Sequence, residues 1–375
     1  MRPPGLVLGL LPSIRGGLGE LAKTGQDSRL IDGYLRPYAA AFRGVRYFSY
    51  LDESLDAYVA DPDLLARVRV LRGGRLHPWL YAFLMPLRYR RELRGCSVLR
   101  VFQITGVIPA LIAKRLFGVP YVTTYGFWYS RLARSGMTRQ LRAIVERAGL
   151  AAADAVIVTT PELGRHISGL VSPERIHLIP NGVDTTRFRP VPRAVGDVKT
   201  ALYVGRLSKE KNLSALVRAA ASLRGRLPLR LVLVGDGPLR ESLAVEARAA
   251  GVAIDFPGVV DQRTLPQVYA AADAFVLASF TEGHPKVLLE AMSAGLPCVA
   301  SDCDGNRSLV IQERTGLLFD PNRPADLAAC LERVLTDRAL AESLGHAARE
   351  VIVAQYDLGR RVQQEIAVLK SVART

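Results

Sequence analysis

Short apolar runs recur along the chain, each closed by a turn rich in glycine, proline or polar residues and most followed by a longer segment with helical spacing. Strands are read within Met1–Pro12 and Gly118–Gly126 and at Val45–Tyr50, Val98–Phe102, Ala155–Val158 and Arg175–Ile179, because runs this short with few polar interruptions suit strands buried on both faces. Between them Tyr34–Phe42, Thr105–Leu116, Thr138–Ala152 and the segment opening at Pro161 read as helices, and Arg67–Arg75 reads as a basic run. This alternation predicts an α/β chain with doubly wound sheets, in which the loops after strand C-termini line the ligand crevice. The piece Phe188-Arg189-Pro190-Val191-Pro192-Arg193 reads as a linker, since proline resists being absorbed into a helix. From about Thr200 the alternation resumes. Two domains are expected, at 1–190 and 200–356.

A chain of 375 residues, 49% hydrophobic, is long enough for two full cores. It holds no run of eighteen or more apolar residues, so no membrane span is expected. The opening Met1–Pro12 has a short apolar stretch without a small-residue cleavage site and reads as a first buried strand. Cys96, Cys298, Cys303 and Cys330 are scattered without metal-ligand spacing, which points to a reduced, cytoplasmic protein without structural zinc. Charge is divided unevenly. Residues 1–196 hold 28 Lys+Arg against 14 Asp+Glu, and residues 197–375 hold 22 against 21, so nearly all of the net +15 lies in the first half. An anionic partner for that half is the expectation: a phosphorylated lipid, a membrane surface, an acidic glycan or nucleic acid.

The stretch Thr281-Glu282-Gly283-His284-Pro285-Lys286-Val287-Leu288-Leu289-Glu290 carries the first candidate chemistry. Proline at a first helical position starts a helix near Pro285, which sets Glu282 ahead of the helix and Glu290 more than a turn inside it. A carboxylate accepts two hydrogen bonds side by side and suits a vicinal diol such as a ribose or a hexose edge. A surface helix carrying two glutamates is the plain alternative. Gly16-Gly17, after the first strand, forms a turn in which backbone N–H groups can approach a phosphate closely.

Further runs fall in order: Tyr203-Val204-Gly205-Arg206-Leu207-Ser208-Lys209-Glu210-Lys211, then Val232-Leu233-Val234-Gly235-Asp236-Gly237-Pro238, then Glu282 to Met292, Ala294 to Ala300, and Thr315-Gly316-Leu317-Leu318. Ile179-Pro180-Asn181-Gly182-Val183-Asp184 precedes them. Together they resemble the donor-site signature of the retaining GT-B glycosyltransferases of glycosyltransferase family 4. The resemblance implies two doubly wound Rossmann-like domains facing each other across a cleft, an acceptor-binding first domain and a donor-binding second. It also implies a last helix within 357–375 that returns to the first domain.

Transfer of a sugar from a nucleotide-diphosphate sugar, UDP-sugar ahead of GDP-sugar, to a glycan or lipid-linked acceptor follows, with retention of configuration and neither metal nor cofactor. The leaving diphosphate gains charge, so fixed cations must face it. Arg206, Lys211 and Glu282 are then the catalytic set, the first two on the diphosphate and the third on the donor sugar. Glu290 takes the ribose, Gly283 and His284 offer N–H groups, Gly205 and Gly235 shape the donor site, and Gly16 and Gly17 face the diphosphate. Tyr125, followed by Gly126 on the acceptor side, stands where many members have a histidine, so no catalytic role is transferred to it. Asp302-Cys303-Asp304 matches the D-x-D metal motif of another fold by coincidence. Gly305-Asn306-Arg307-Ser308 departs from the family's Gly-Gly-x-x-Glu loop.

The segment His77–Arg94 mixes aromatics with arginines. It reads either as an interfacial element meeting an anionic membrane, which would place the protein at the inner face of the cell membrane, or as a core helix with a solvated basic end; Pro86 argues against one straight helix. Three rivals stand beside the transferase: a nucleotide-sugar epimerase of the same fold, a nucleic-acid binder, and a non-catalytic basic surface-binding protein. The sequence has no helix-turn-helix, RRM or zinc-finger signature, so no specific nucleic-acid partner is expected.

Overall fold

The computed structural model describes residues 5–74, 76–128, 136–192 and 196–374, so the readings of Met1–Pro4, Arg75, Arg193 and Thr375 lie outside the described residues. The chain forms two compact units, Met1–Pro180 with Arg360–Thr375, and Asn181–Gly359.

The first unit is built on seven strands: β1 (Val7–Leu11), β2 (Gly44–Phe48), β3 (Val68–Leu71), β4 (Val98–Val101), β5 (Tyr121–Tyr125), β6 (Ala155–Val158) and β7 (Ile176–Leu178). They lie in the order β3-β2-β1-β4-β5-β6-β7, every neighbouring pair parallel. The winding runs outward from β1 to β3, then restarts at β4 on the other side. That reversal opens between β1 and β4. Strand β3 occupies part of the expected basic run. Val68 and Leu71, at its two ends, are buried while Arg69 is exposed, and the arginines around these apolar positions hide the strand in the sequence.

The helices that position the later argument are α1 (Leu18–Ala22), α2 (Pro78–Arg88), α3 (Arg90–Arg94), α4 (Val107–Phe117), α5 (Gly136–Ala152) and α6 (Pro161–Ile167). Pro86 sits inside α2, and the helix ends two residues later at Arg88, with Tyr89 as its C-cap. The missing N–H at Pro86 removes one turn-closing bond.

The C-terminal helix, Leu358–Val372, contributes to this unit through a buried ion pair. Arg100 on β4 donates from Nε to Glu365 Oε1 at 2.6 Å and from Nη2 to Oε2 at 3.0 Å, with further bonds to the Val101 carbonyl and to Thr124 Oγ1. Tyr38 donates its hydroxyl to the same Oε1. Burial pulls the Arg100 guanidinium down, but Glu365 more than reverses this and holds it above its ordinary range.

The second unit carries β8 (Lys199–Val204), β9 (Leu229–Val234), β10 (Ala253–Gly258), β11 (Ala274–Leu277), β12 (Cys298–Ser301) and β13 (Leu317–Phe319). Their order is β10-β9-β8-β11-β12-β13, again parallel throughout, and the winding reverses between β8 and β11. The expected linker is corrected here. Phe188 is buried in this unit's core, edge-on to Tyr269 at 5.6 Å, and its carbonyl accepts from Ser293 Oγ and Arg349 Nη1. An aromatic side chain among the prolines anchors the segment, so the division falls at Pro180 instead of 190. Among the described residues no helix is long and apolar enough to cross a membrane.

Removing one partner of a buried pair strands the other charge, at a cost of about 3–5 kcal/mol. Glu365→Ala therefore lowers the urea midpoint of the first unit sharply. Trp79 and Trp128, the two tryptophans of the chain, both lie in that unit, so their fluorescence follows it; an unchanged midpoint would show that the pair contributes nothing.

Candidate active site

In a doubly wound sheet, loops leaving two neighbouring strands at the winding reversal diverge to opposite faces and leave a crevice at the strand C-termini. In the second unit those strands are β8 and β11, and their exit loops carry Arg206, Lys211, Glu282, Gly283 and His284.

After β8 the chain turns at Gly205. Tyr203, buried, donates its hydroxyl to the Arg206 carbonyl at 2.9 Å. Burial first, then the Glu282 and Glu210 carboxylates, push this phenol well above its ordinary range, so it stays protonated and keeps the bond. The Arg206 side chain is exposed and makes no ion pair among the described residues. Lys209–Lys211 form a single 3-10 turn, and Asn212 takes a left-handed conformation (φ 53°) with Nδ2 bonded to the Pro321 carbonyl. The next helix, α7 (Leu213–Ser222), therefore starts after Lys211 and not before it. Asparagine tolerates this backbone better than most residues. Ser208 donates to Glu210 Oε1 at 2.5 Å, and this bond above all holds the Glu210 carboxyl below its usual range.

After β11 the Glu210 carbonyl accepts from Phe280 N–H at 2.9 Å, tying the two loops together. Lys211 Nζ then meets Glu282 Oε1 at 2.6 Å, and Ser279 Oγ donates to the same oxygen at 2.6 Å. Both side chains are largely shielded from solvent. Because both bonds fall on Oε1, Oε2 remains for a ligand hydroxyl, and the ammonium keeps further donors for an anion. Ser279 is held in turn through its carbonyl, which accepts from Ser301 Oγ at 2.5 Å, while Asn306 Nδ2 donates to both oxygens of Ser301. The departing loop thus backs the Ser279–Glu282 turn. Gly305, in helix α9 (Asp304–Arg307), is obligatory there, since a Cβ would stand 2.5 Å from the Glu282 and Gly283 carbonyls. Asp302 and Asp304 both turn to Arg307.

Helix α8 (Lys286–Ser293) begins one residue beyond Pro285, which is its N-cap. His284 is buried, its ring 5.5 Å from that of Tyr356 and its carbonyl accepting from Asn181 Nδ2 at 2.8 Å. Glu290 lies on the buried face of α8. Its Oε1 accepts from Gln262 Nε2 at 2.8 Å and its Oε2 from the Tyr269 hydroxyl at 3.0 Å. Gly235 (φ 123°) packs directly on the β8 turn, where a Cβ would come 2.0 Å from the Gly205 carbonyl.

The first-unit candidates are placed differently. Gly16 N–H is spent on the Ser13 carbonyl, and the first turn of α1 is closed by Glu53, which accepts from Leu18 N–H at 2.9 Å and Gly19 N–H at 2.8 Å. A Cβ at Gly17 would meet Glu53, Leu51 and Ser49 within 2.8 Å. Tyr125 is buried and gives its hydroxyl to Glu146 Oε1 at 2.9 Å; its ring stacks near His166, against which Trp128 also lies. Gly126 is half-buried. Sequence reasoning missed Glu53, Glu146, Gln262, Tyr269 and Ser279, and gave Asn181 no role beyond its place in a run. Of the first five only Ser279, three positions before Glu282, had a local signal.

A lysine–glutamate pair on the loops at the winding reversal of a parallel sheet belongs to a doubly wound α/β protein, and comparison with known proteins gives its family. Residues 36–187 match the family described as Glycosyltransferase Family 4, and residues 184–351 the one described as Glycosyl transferases group 1. The chain is 31% identical over 278 residues to the "Putative glycosyltransferase EpsF" of Bacillus subtilis, covering 70% of each chain. It is 33% identical over 234 residues, 57% of this chain and 61% of the other, to a "GDP-mannose-dependent alpha-(1-6)-phosphatidylinositol monomannoside mannosyltransferase" of Mycobacterium tuberculosis. The structure of Anabaena Alr3699/HepE in complex with UDP-glucose superposes with a TM-score of 0.77 at 19% identity, covering 97% of this chain and 99% of that one. The chain belongs to the family 4 glycosyltransferases, with their pair of parallel-sheet Rossmann-like domains. It spans half to about three fifths of the length of several curated relatives.

If the Lys211–Glu282 contact couples the two loops, Lys211→Met and Glu282→Gln lose less stability together than the sum of their separate losses, by about 0.5–3 kcal/mol. Chemical unfolding of the four proteins followed by circular dichroism measures this; strictly additive losses would show no coupling.

Proposed function

We propose that this protein is a glycosyltransferase that moves a hexosyl unit from a nucleoside-diphosphate sugar to a lipid-linked or anionic glycan acceptor, with retention of anomeric configuration and without a metal. The observation that carries the reading is the Lys211–Glu282 pair at the β8/β11 reversal, with the exposed Arg206 on the same loop. Breaking the anomeric C–O bond loads negative charge onto the departing diphosphate. Arg206 offers it a planar fork and Lys211 a point charge, both fixed before the reaction begins, where preorganised charge is most effective. Glu282, oriented by Ser279, accepts a donor-sugar hydroxyl at Oε2. Glu290 takes the ribose.

UDP stands ahead of GDP as the nucleotide because the Anabaena neighbour was solved with UDP-glucose, while the mycobacterial relative's GDP-mannose keeps GDP in the comparison. That relative's phosphatidylinositol substrate supports a lipid acceptor. The four cysteines are unpaired, which supports a cytoplasmic site of action.

A ligand that binds only the folded state raises stability by about 2.7 kcal/mol at a hundred times its Kd. Thermal unfolding against UDP-, GDP- and ADP-sugars is expected to show a shift with UDP-sugars that Lys211→Ala and Glu290→Ala abolish. With an acceptor present, Lys211→Ala lowers turnover by about 10²–10³, the loss typical of one removed transition-state contact, and the anomeric proton coupling of the product reports retention. No shift with any nucleotide would overturn the donor site. Donor consumption without acceptor would replace the transferase with an epimerase.

A further inference from the structure

Helix α2 is apolar on both sides. Tyr81, Ala82 and Met85 pack into the first unit's core, whereas Leu80, Phe83 and Leu87, on the opposite side, are 50%, 53% and 57% exposed. Trp79 and Leu84 extend the same outer face. A helix hydrophobic all round belongs in an interior, so its outer face is built to be covered. Helix α4 packs against both α2 and α5, and the outer side of this layer continues the pattern. Leu116 on α4 and Met137, Leu141 and Ile144 on α5 are exposed, the last three at the four- and three-residue steps of one helical stripe.

The rim of this face is cationic. Arg88, Arg90, Arg91 and Arg94 follow the apolar residues of α2 and are exposed, and Glu92 is the one acidic residue between 77 and 94. Arg115 on α4 and Arg139 on α5 add to it. Exposed apolar side chains ringed by arginines match a bilayer interface, where the former enter the acyl boundary and the latter meet lipid phosphates. A second copy of this chain fits less well, because a two-fold contact through this face would bring its arginines against their own copies.

We propose that the outer face of α2, extended by α4 and α5, docks the protein on an anionic lipid bilayer. The surface belongs to the first unit and the Lys211–Glu282 pair to the second, so the docking stands or falls independently of the donor chemistry. Flotation with phosphatidylcholine vesicles, with and without phosphatidylglycerol, tests it.

The full chain is expected to float with the anionic vesicles and to be released by salt. Leu80→Glu with Phe83→Glu lowers vesicle partitioning at least about tenfold, since each side chain withdraws a full apolar burial. Arg90→Gln with Arg91→Gln leaves the apolar face intact but weakens the preference for phosphatidylglycerol. All four positions are exposed, so the melting temperature and any nucleotide-induced shift persist in both variants, which separates a failed dock from a failed donor site. Equally poor recovery with both vesicles overturns the proposal, as does parent-like flotation of the Leu80/Phe83 variant. Light scattering that shows a dimer broken by Leu80→Glu, with no flotation, would reassign the face to contact between copies.

Discussion

A parallel sheet sends every strand in the same direction, so all its exit loops gather along one edge, and only where the winding reverses do two neighbouring loops part. The second unit obeys this constraint, and its chemistry follows from it. β8 and β11 lie side by side although some seventy residues of chain separate them. Their loops carry the cation and the carboxylate that meet at 2.6 Å. The backbone bond from Phe280 to Glu210 and the serine–asparagine chain behind Ser279 hold that meeting in place. The Gly205–Gly235 approach keeps the neighbouring β9 turn pressed against the same loop.

What could be read in advance was whatever depends on local spacing. The strands were legible because apolar runs of four to six residues in a buried parallel sheet leave little else to fit. The start of α8 was legible within one residue because proline restricts the backbone before a helix. Glu282 ahead of that helix and Glu290 inside it follow from the same count. The partners of Glu290 were not legible, since Gln262 and Tyr269 reach it from other elements and only the fold brings them there. Strand β3 and Phe188 were hidden for the opposite reason. Their neighbours, arginines in one case and prolines in the other, suggested a solvated run and a linker, while two or three apolar side chains decided the outcome.

The first unit shows how average charge conceals local arrangement. Residues 1–196 are strongly basic, yet the turn after β1 is closed by the Glu53 carboxylate, and the end of β5 by Glu146. Helix N–H groups attract anions, and here the chain supplies its own. The cations instead collect on the outer side of the helical layer, beyond α2.

The C-terminal helix gives the chain an order of assembly. Its Glu365 completes the buried charge on Arg100, and Arg374 donates to the carbonyls of Cys96 and Phe117. During synthesis from the N-terminus, the residues that complete the first unit are made after Asn181–Gly359. Domains tend to fold as their chain emerges. In this protein the unit translated second can close first, because Arg100 in the earlier unit's sheet gains its carboxylate partner only once the helix that follows the second unit has been made.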